Sequence, residues 1–133
     1  MEERRTGACL CGGVRFTVEG AVGPVVFCHC SQCRRQSGLH YAATDVPRGR
    51  LTVTGEDLIS WYRASDEATR GFCSHCGSAL FWKRDGGENI SVVAGAFDLP
   101  SGLAGGYHIY CADKGDFYSI DNGLPQYQAS KPS

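Results

Sequence analysis

Seven of the chain's eight cysteines sit in three short motifs, and nothing else in the sequence restricts the fold as strongly. The motifs are Cys9-Leu10-Cys11, Cys28-His29-Cys30-Ser31-Gln32-Cys33 and Cys73-Ser74-His75-Cys76. Cysteines this close together are poor disulfide partners, because a cross-link stabilises a protein chiefly by closing a long loop in the unfolded chain. The start, MEERRTGACLCGG, has charges but no apolar run of an export signal behind them, so the expected compartment is the reducing cytoplasm. Clustered cysteines there serve metal binding or catalysis more often than cross-linking.

The first and third motifs form a pair. Cys9-Leu10-Cys11-Gly12 and Cys73-Ser74-His75-Cys76-Gly77 each close on a glycine and lead toward an apolar, strand-like segment. Glycine allows the tight turn that aims backbone amides at thiolates, which is the geometry of a metal knuckle. Cys9, Cys11, Cys73 and Cys76 together supply four sulfurs, enough for a closed tetrahedral zinc site whose role is structural. Such a site staples the N-terminal hairpin to the middle of the chain. The rival readings are unligated core cysteines and a redox dithiol at Cys73 and Cys76, the latter requiring a βαβ setting that this region lacks.

The second motif supplies Cys28, Cys30 and Cys33. In extended chain Cys28 and Cys30 share a face while His29 points away, and a turn can return Cys33 to the same ion. Three protein ligands and one exchangeable position are the pattern of a catalytic zinc. His40, His75, His108 and Cys111 are the side chains that could instead close the shell; the plainer reading makes the histidines surface residues and Cys111 a small strand residue in the core. Arg34 and Arg35 follow at once. Three thiolates leave a zinc site net negative, so Arg34 is the candidate to offset that charge and hold an anionic ligand, with Arg35 left to solvent.

The remainder reads as β structure. Alternating or β-branched segments at 14–19 (VRFTVE), 25–30 (VVFCHC), 51–54 (LTVT), 58–62 (LISWY), 79–82 (ALFW), 90–94 (ISVVA), 107–111 (YHIYC) and 117–120 (FYSI) are separated by glycine- and aspartate-rich turns. Eighteen glycines and no sustained 3.6-residue apolar period predict a mainly β, mostly antiparallel fold with a short helix after Cys33. One domain over residues 1–133 is expected, with the polar ends MEERRT and QASKPS frayed. A formal charge of −1 without long blocks of one sign gives no footprint for nucleic acid or an anionic membrane. The apolar runs are too short to span a bilayer as helices.

The motifs GACLCGGVRFTVEG, FCHCSQCRRQSG, FCSHCGSALFW, AGAFD and HIYCADKGDFYSIDNGLPQY, in this order, resemble the family of glutathione-dependent formaldehyde-activating enzymes, which includes the centromere protein V type. The chain is most similar to the family's short members. The resemblance implies an antiparallel β-tent fold with zinc-stapled hairpins and two zinc ions (Zn2+) per chain. It implies a structural site at Cys9, Cys11, Cys73 and Cys76, and a catalytic site at Cys28, Cys30 and Cys33 whose fourth position is left to water or a substrate thiol. The implied activity is that of a carbon–sulfur lyase, making and breaking the adduct between formaldehyde and a small thiol such as glutathione. A non-catalytic zinc-stapled binding module is the competing reading, since a fold does not fix a function. A thiol redox sensor at Cys30 and Cys33 is a third.

Overall fold

The computed structural model describes residues 3–132. Two sheets form the frame. The smaller has three strands in the order β1 (Arg4–Ala8), β2 (Arg15–Glu19) and β5 (Leu51–Thr54), all antiparallel. The larger has seven. Its first three in spatial order are β10 (Gly105–Ile109), β3 (Val25–Cys28) and β4 (Tyr41–Pro47). Then follow β9 (Asn89–Val93), β8 (Ala79–Arg84), β7 (Ala68–Cys73) and β6 (Ile59–Arg63).

The sheets are mostly antiparallel, as expected, with β10 pairing to β3 in parallel as the exception. The chain reaches that edge by a long connection after β9, which lets it run in the same direction as β3.

Alternation along β2 turns Phe16 and Val18 inward, where they meet the larger sheet. Phe16 packs edge-on against Phe81 and Phe97, with ring centroids 6.0 and 5.1 Å apart. Val14, Val46, Leu80, Ile90 and Val92 complete this core, and Cys9 and Cys73 are buried in it. A smaller cluster lies around Cys33, Tyr41 and Ala43, with Cys28, Cys30, Trp82 and Val93 packed against it. Pairings Val26↔Ala43, Ala43↔Val93, Ser91↔Trp82 and Trp82↔Arg70 carry a row of side chains across the larger sheet to this cluster.

Several expectations shift. The segment at 117–120 forms no strand, because its backbone is drawn into turns and Lys114 Nζ donates to the carbonyls of Gly115 and Tyr118. β1, β4 and β7 were not anticipated; their mixed composition hides the pairing that makes them strands. The helix α1 (Ser31–Ser37) contains Cys33 rather than following it. Cys111 begins a 3-10 turn beyond β10 and is only half-buried, so it is not a core strand residue. The ends are held as well: β1 begins at Arg4, Arg5 Nε donates to the Ser101 carbonyl, and residues 125–129 bond by their backbone to β10 and the turn after it. Met1, Glu2 and Ser133 of the two end segments lie outside the described residues.

Phe16 joins the two sheets, so Phe16→Ala should cost about 3–5 kcal/mol of unfolding free energy in urea titration. A loss below about 1 kcal/mol would mean that the sheets do not share this core.

Candidate metal centres

Two glycine turns bring the first and third cysteine motifs together. The Gly12 amide donates to the Cys9 carbonyl at 3.0 Å and the Gly77 amide to the Cys73 carbonyl at 2.7 Å. Both glycines have positive φ, 77° and 81°, which a side chain would oppose. The turns aim amides at sulfur: Val14 N–H donates to Cys9 Sγ at 3.3 Å and Gly13 N–H to Cys11 Sγ at 3.4 Å. Ser78 links the knuckles, accepting from the Leu10 amide at 3.0 Å and lying 3.2 Å from Cys76 Sγ, to which its hydroxyl proton is then free to point.

The four sulfurs lie within 4.8 Å of one another and none is in a disulfide. Cys9 and Cys11 are 3.6 Å apart at sulfur, Cys11 and Cys73 3.8 Å. A tetrahedron with Zn–S bonds of about 2.3 Å has an edge of about 3.8 Å, so these spacings fit that ion. Hydrogen bonds from the Ser78 hydroxyl and backbone, then the Cys11 amide, draw the Cys76 thiol down to about 5. Cys11 stands at about 11: the Gly13 amide pulls it down, but burial and the other three cysteines outweigh that pull. Four mutually close sulfurs cannot all ionise without a cation between them.

Cys28 ends β3, Cys30 caps α1 and Cys33 lies in its first turn. Cys30 Sγ accepts from the Cys33 amide at 3.4 Å. Hydrogen bonds from Cys28 and Cys33 draw the Cys30 thiol far down, while Cys28 is pushed up by Cys30 and Cys33 and by burial. Their sulfurs also lie within 4.8 Å of one another, and among the described residues no fourth His, Cys, Asp or Glu ligand atom joins them.

Among the described residues none of the candidates for closing that shell joins the three sulfurs. His29 is fully buried on the opposite face from Cys28 and Cys30, as alternation requires. Its Nδ1 meets Tyr118 Oη at 2.6 Å and its Nε2 meets His108 Nδ1 at 2.8 Å. His108 Nε2 in turn lies 3.0 Å from Asn122 Oδ1, which also accepts from the Leu124 amide. Because Asn122 Oδ1 is an acceptor, protons sit on His108 Nε2, His29 Nε2 and Tyr118 Oη, a single direction along the chain. Burial, then the charges of His40, His108 and Lys114, hold His29 down to about 4, which suits its neutral role. His40 packs beside His29 and Phe27, and His75 is exposed on the knuckle.

Arg70 was missed by sequence reasoning. Arg70 of β7 is only 5% exposed and has no carboxylate partner among the described residues. Its guanidinium donates to Cys33 Sγ at 3.3 Å, Gln36 Oε1 at 2.9 Å and Gln32 Oε1 at 3.4 Å. A buried arginine needs an anion, and among the described residues the only candidate it touches is the cysteine cluster. Arg34, by contrast, packs its Cδ near Gly115 on the other side of α1. The sequence signal was a lone charge in ATRGFC, three residues ahead of Cys73 on the same strand; it marks burial only once the strand pairing is known.

Two clefts flank Arg70 and Gln32. The larger, ≈ 1010 Å³, runs beside the four-cysteine knuckle. The smaller, ≈ 530 Å³, is lined by Cys28, Cys30 and Cys33. Its floor includes Tyr41, whose hydroxyl is buried without a partner among the described residues, as is Arg70 Nε. Burial keeps the Tyr41 phenol protonated, as a hydrogen-bond donor.

A mainly β protein with two cysteine clusters able to hold metal ions is the class this geometry defines. Residues 4–113 match the model of the glutathione-dependent formaldehyde-activating enzyme family, and the chain belongs to that family. A Schizosaccharomyces pombe protein named as an uncharacterized lyase is 25% identical over 117 residues, covering 87% of this chain and 85% of that one. A Halomonas elongata protein, named for glutathione-dependent formaldehyde activation, is 37% identical over 84 residues, which are 56% of this chain and 53% of its own. The crystal structure of a Rhodobacter sphaeroides protein aligns with a TM-score of 0.60 at 20% identity, covering 92% of this chain and 98% of that one. At that identity the likeness speaks for the fold alone.

The two clusters should respond differently to loss of a ligand. Cys76→Ser opens a site joining distant segments, where metal binding is folding energy on the order of 10 kcal/mol in small zinc domains, so its melting temperature should fall steeply or the protein become insoluble. Cys30→Ser disrupts a site within one short segment and should melt near wild type with one zinc fewer. Equal loss of stability in both variants would contradict this division.

Proposed function

We propose that the protein is a zinc-dependent carbon–sulfur lyase that forms and cleaves adducts between a small thiol and an aldehyde, formaldehyde and glutathione being the pair in the family's name. The observation that carries this reading is the Cys28, Cys30 and Cys33 set, three converging sulfurs in a cleft without a fourth protein ligand among the described residues. Cys9, Cys11, Cys73 and Cys76 are assigned a structural zinc. A zinc ion held by Cys28, Cys30 and Cys33 would supply Lewis acidity that keeps a substrate sulfur deprotonated near neutral pH.

The chain's own side chains do the rest. Arg70 offsets the negative charge of three thiolates, a role expected of Arg34 from its place after the motif. Trp82, Ala43 and Val26 give the cleft an apolar floor that limits water. As the substrate sulfur bonds to the carbonyl carbon, the C=O electron pair moves to oxygen, and the proton given up by the thiol ends there. Tyr41 Oη–H is the donor assigned to that oxygen, since it is protonated and otherwise unpartnered. Cleavage retraces the same path.

Magnetisation-exchange NMR of formaldehyde with thiols, using zinc-replete protein, tests the reading. Exchange should exceed the protein-free rate and be lost in Cys30→Ser. Rates equal to the protein-free control for every thiol would leave the binding module as the better account. Arg70→Met should lower exchange at least about tenfold, since a charge-assisted hydrogen bond contributes about 1.5–3 kcal/mol. Arg34→Ala should lower it far less; the opposite order would return the charge-balancing role to Arg34.

A further inference from the structure

Arg70 stands between two clefts of unlike character. Its Nη2 donates to Cys33 Sγ, which lines only the smaller cleft, and its Nη1 donates to Gln36 Oε1, on a residue that lines only the larger. The smaller cleft carries Asp45, Glu67 and Asp113 on its walls. The larger carries Arg35 and Arg70 and, among the described residues, no carboxylate. Arg35 is exposed and pairs with no acidic side chain among those residues.

The glutamines mark the place a ligand would take. Arg70 is only 5% exposed, yet toward the larger cleft its guanidinium meets neutral acceptors, Gln36 Oε1 at 2.9 Å and Gln32 Oε1 at 3.4 Å. Its Nε–H has no partner among the described residues. A carboxylate in the position of the Gln36 oxygen would exchange a neutral acceptor for a charged one that matches the planar fork. Gln36 is itself exposed, so its side chain can swing out and yield that position.

An apolar wall adjoins the same spot. Tyr62 of β6 is directly opposite Arg70 of β7, a separation of about 4.5–5.5 Å at Cβ, and Phe72 lies two residues beyond Arg70 on the same face. Both line the larger cleft, where Leu10, Ala64 and Ala79 extend the wall. Leu10 and Tyr62 are 87% and 65% exposed, so this apolar surface is left uncovered beside a buried cation. At ≈ 1010 Å³ the cleft has the size of a small-molecule site.

We propose that the larger cleft is a second ligand site, for a small carboxylate with an aromatic body, and that its occupant regulates the three-cysteine site through Arg70. The carboxylate replaces Gln36 Oε1 at the guanidinium and the ring lies on Tyr62 and Phe72. Such an ion pair draws on the guanidinium that Cys33 Sγ also uses, so occupancy weakens the charge balance of the thiolates without filling the smaller cleft. The regulatory half rests on the thiol–aldehyde reading; the binding half does not.

The probes are 2-naphthoate and its neutral counterpart 2-naphthamide, followed by NMR titration of the zinc-loaded protein. Naphthoate should bind at least about tenfold more tightly, moving the Phe72 ring and Arg70 Nε–H resonances more than the Trp82 indole. Tyr62→Glu, a change at an exposed position that sets a carboxylate across from Arg70, should erase that preference. Arg35→Met should weaken naphthoate about two- to fivefold and leave naphthamide unchanged. Equal affinities of the two probes, or a preference that Tyr62→Glu leaves intact, would overturn the site. Because a carboxylate can also seek an open metal position, the titration is repeated on Cys30→Ser. Binding in the larger cleft persists in that variant, and its loss there would overturn the proposal.

In the formaldehyde exchange assay, naphthoate should slow the reaction of a saturating thiol, by no more than Arg70→Met does, and added thiol should not relieve the effect. Relief by thiol, or exchange unchanged with naphthoate bound, would overturn the link through Arg70. If no thiol is accelerated even without naphthoate, the lyase reading fails, and the titration still decides the site.

Discussion

Seven sulfurs held in two close groups without a disulfide are the constraint on which the rest of this structure depends. Thiols at 3.6–3.8 Å cannot ionise together, and left as thiols they bury poorly paired donors beside the core. A cation resolves both difficulties. Because Cys9 and Cys73 are also members of the main core, the position of the knuckles and the packing of the two sheets are one problem. Ser78 and the amides of Leu10, Gly13 and Val14 hold the sulfurs in the arrangement an ion requires.

The second cluster is supported from both faces of the larger sheet. On the cleft side Arg70 reaches Cys33 from β7, and the glutamines of α1 hold the guanidinium in place. On the other side the directed chain from Tyr118 through His29 and His108 to Asn122 fixes β3 against β10 and the C-terminal segment. β3 is therefore positioned by hydrogen bonds on one side and packing on the other, which gives Cys28 and Cys30 a defined direction. Rigid support of this kind lets a site built on one short segment keep its geometry.

Much of this was legible in the sequence, for reasons that can be named. Cysteine spacing and following glycines identify knuckles because the required φ and the ligand geometry are local. The inward face of β2 follows from alternation, and the strand at 51–54 from its β-branched residues. Arg70, Tyr41 and the histidine chain were not legible. Each takes its role from a partner on another strand, 37 residues away for Arg70 and Cys33 and 79 for His29 and His108, and no local pattern encodes that register. β1, β4 and β7 escaped notice likewise, since their strand character comes from pairing rather than from periodicity. The parallel β10 also depends on the path of a long connection, not on its own residues.

The central claim is that one cluster closes its metal shell with four protein sulfurs while the other offers three. Zinc content together with zinc K-edge absorption of the fully loaded protein tests this most directly. The account predicts two zinc ions per chain and a mean of about 3.5 sulfur ligands with about 0.5 oxygen or nitrogen, the average of a closed and an open tetrahedral site. A single zinc that added metal cannot raise, or two ions each with four sulfurs, would contradict it.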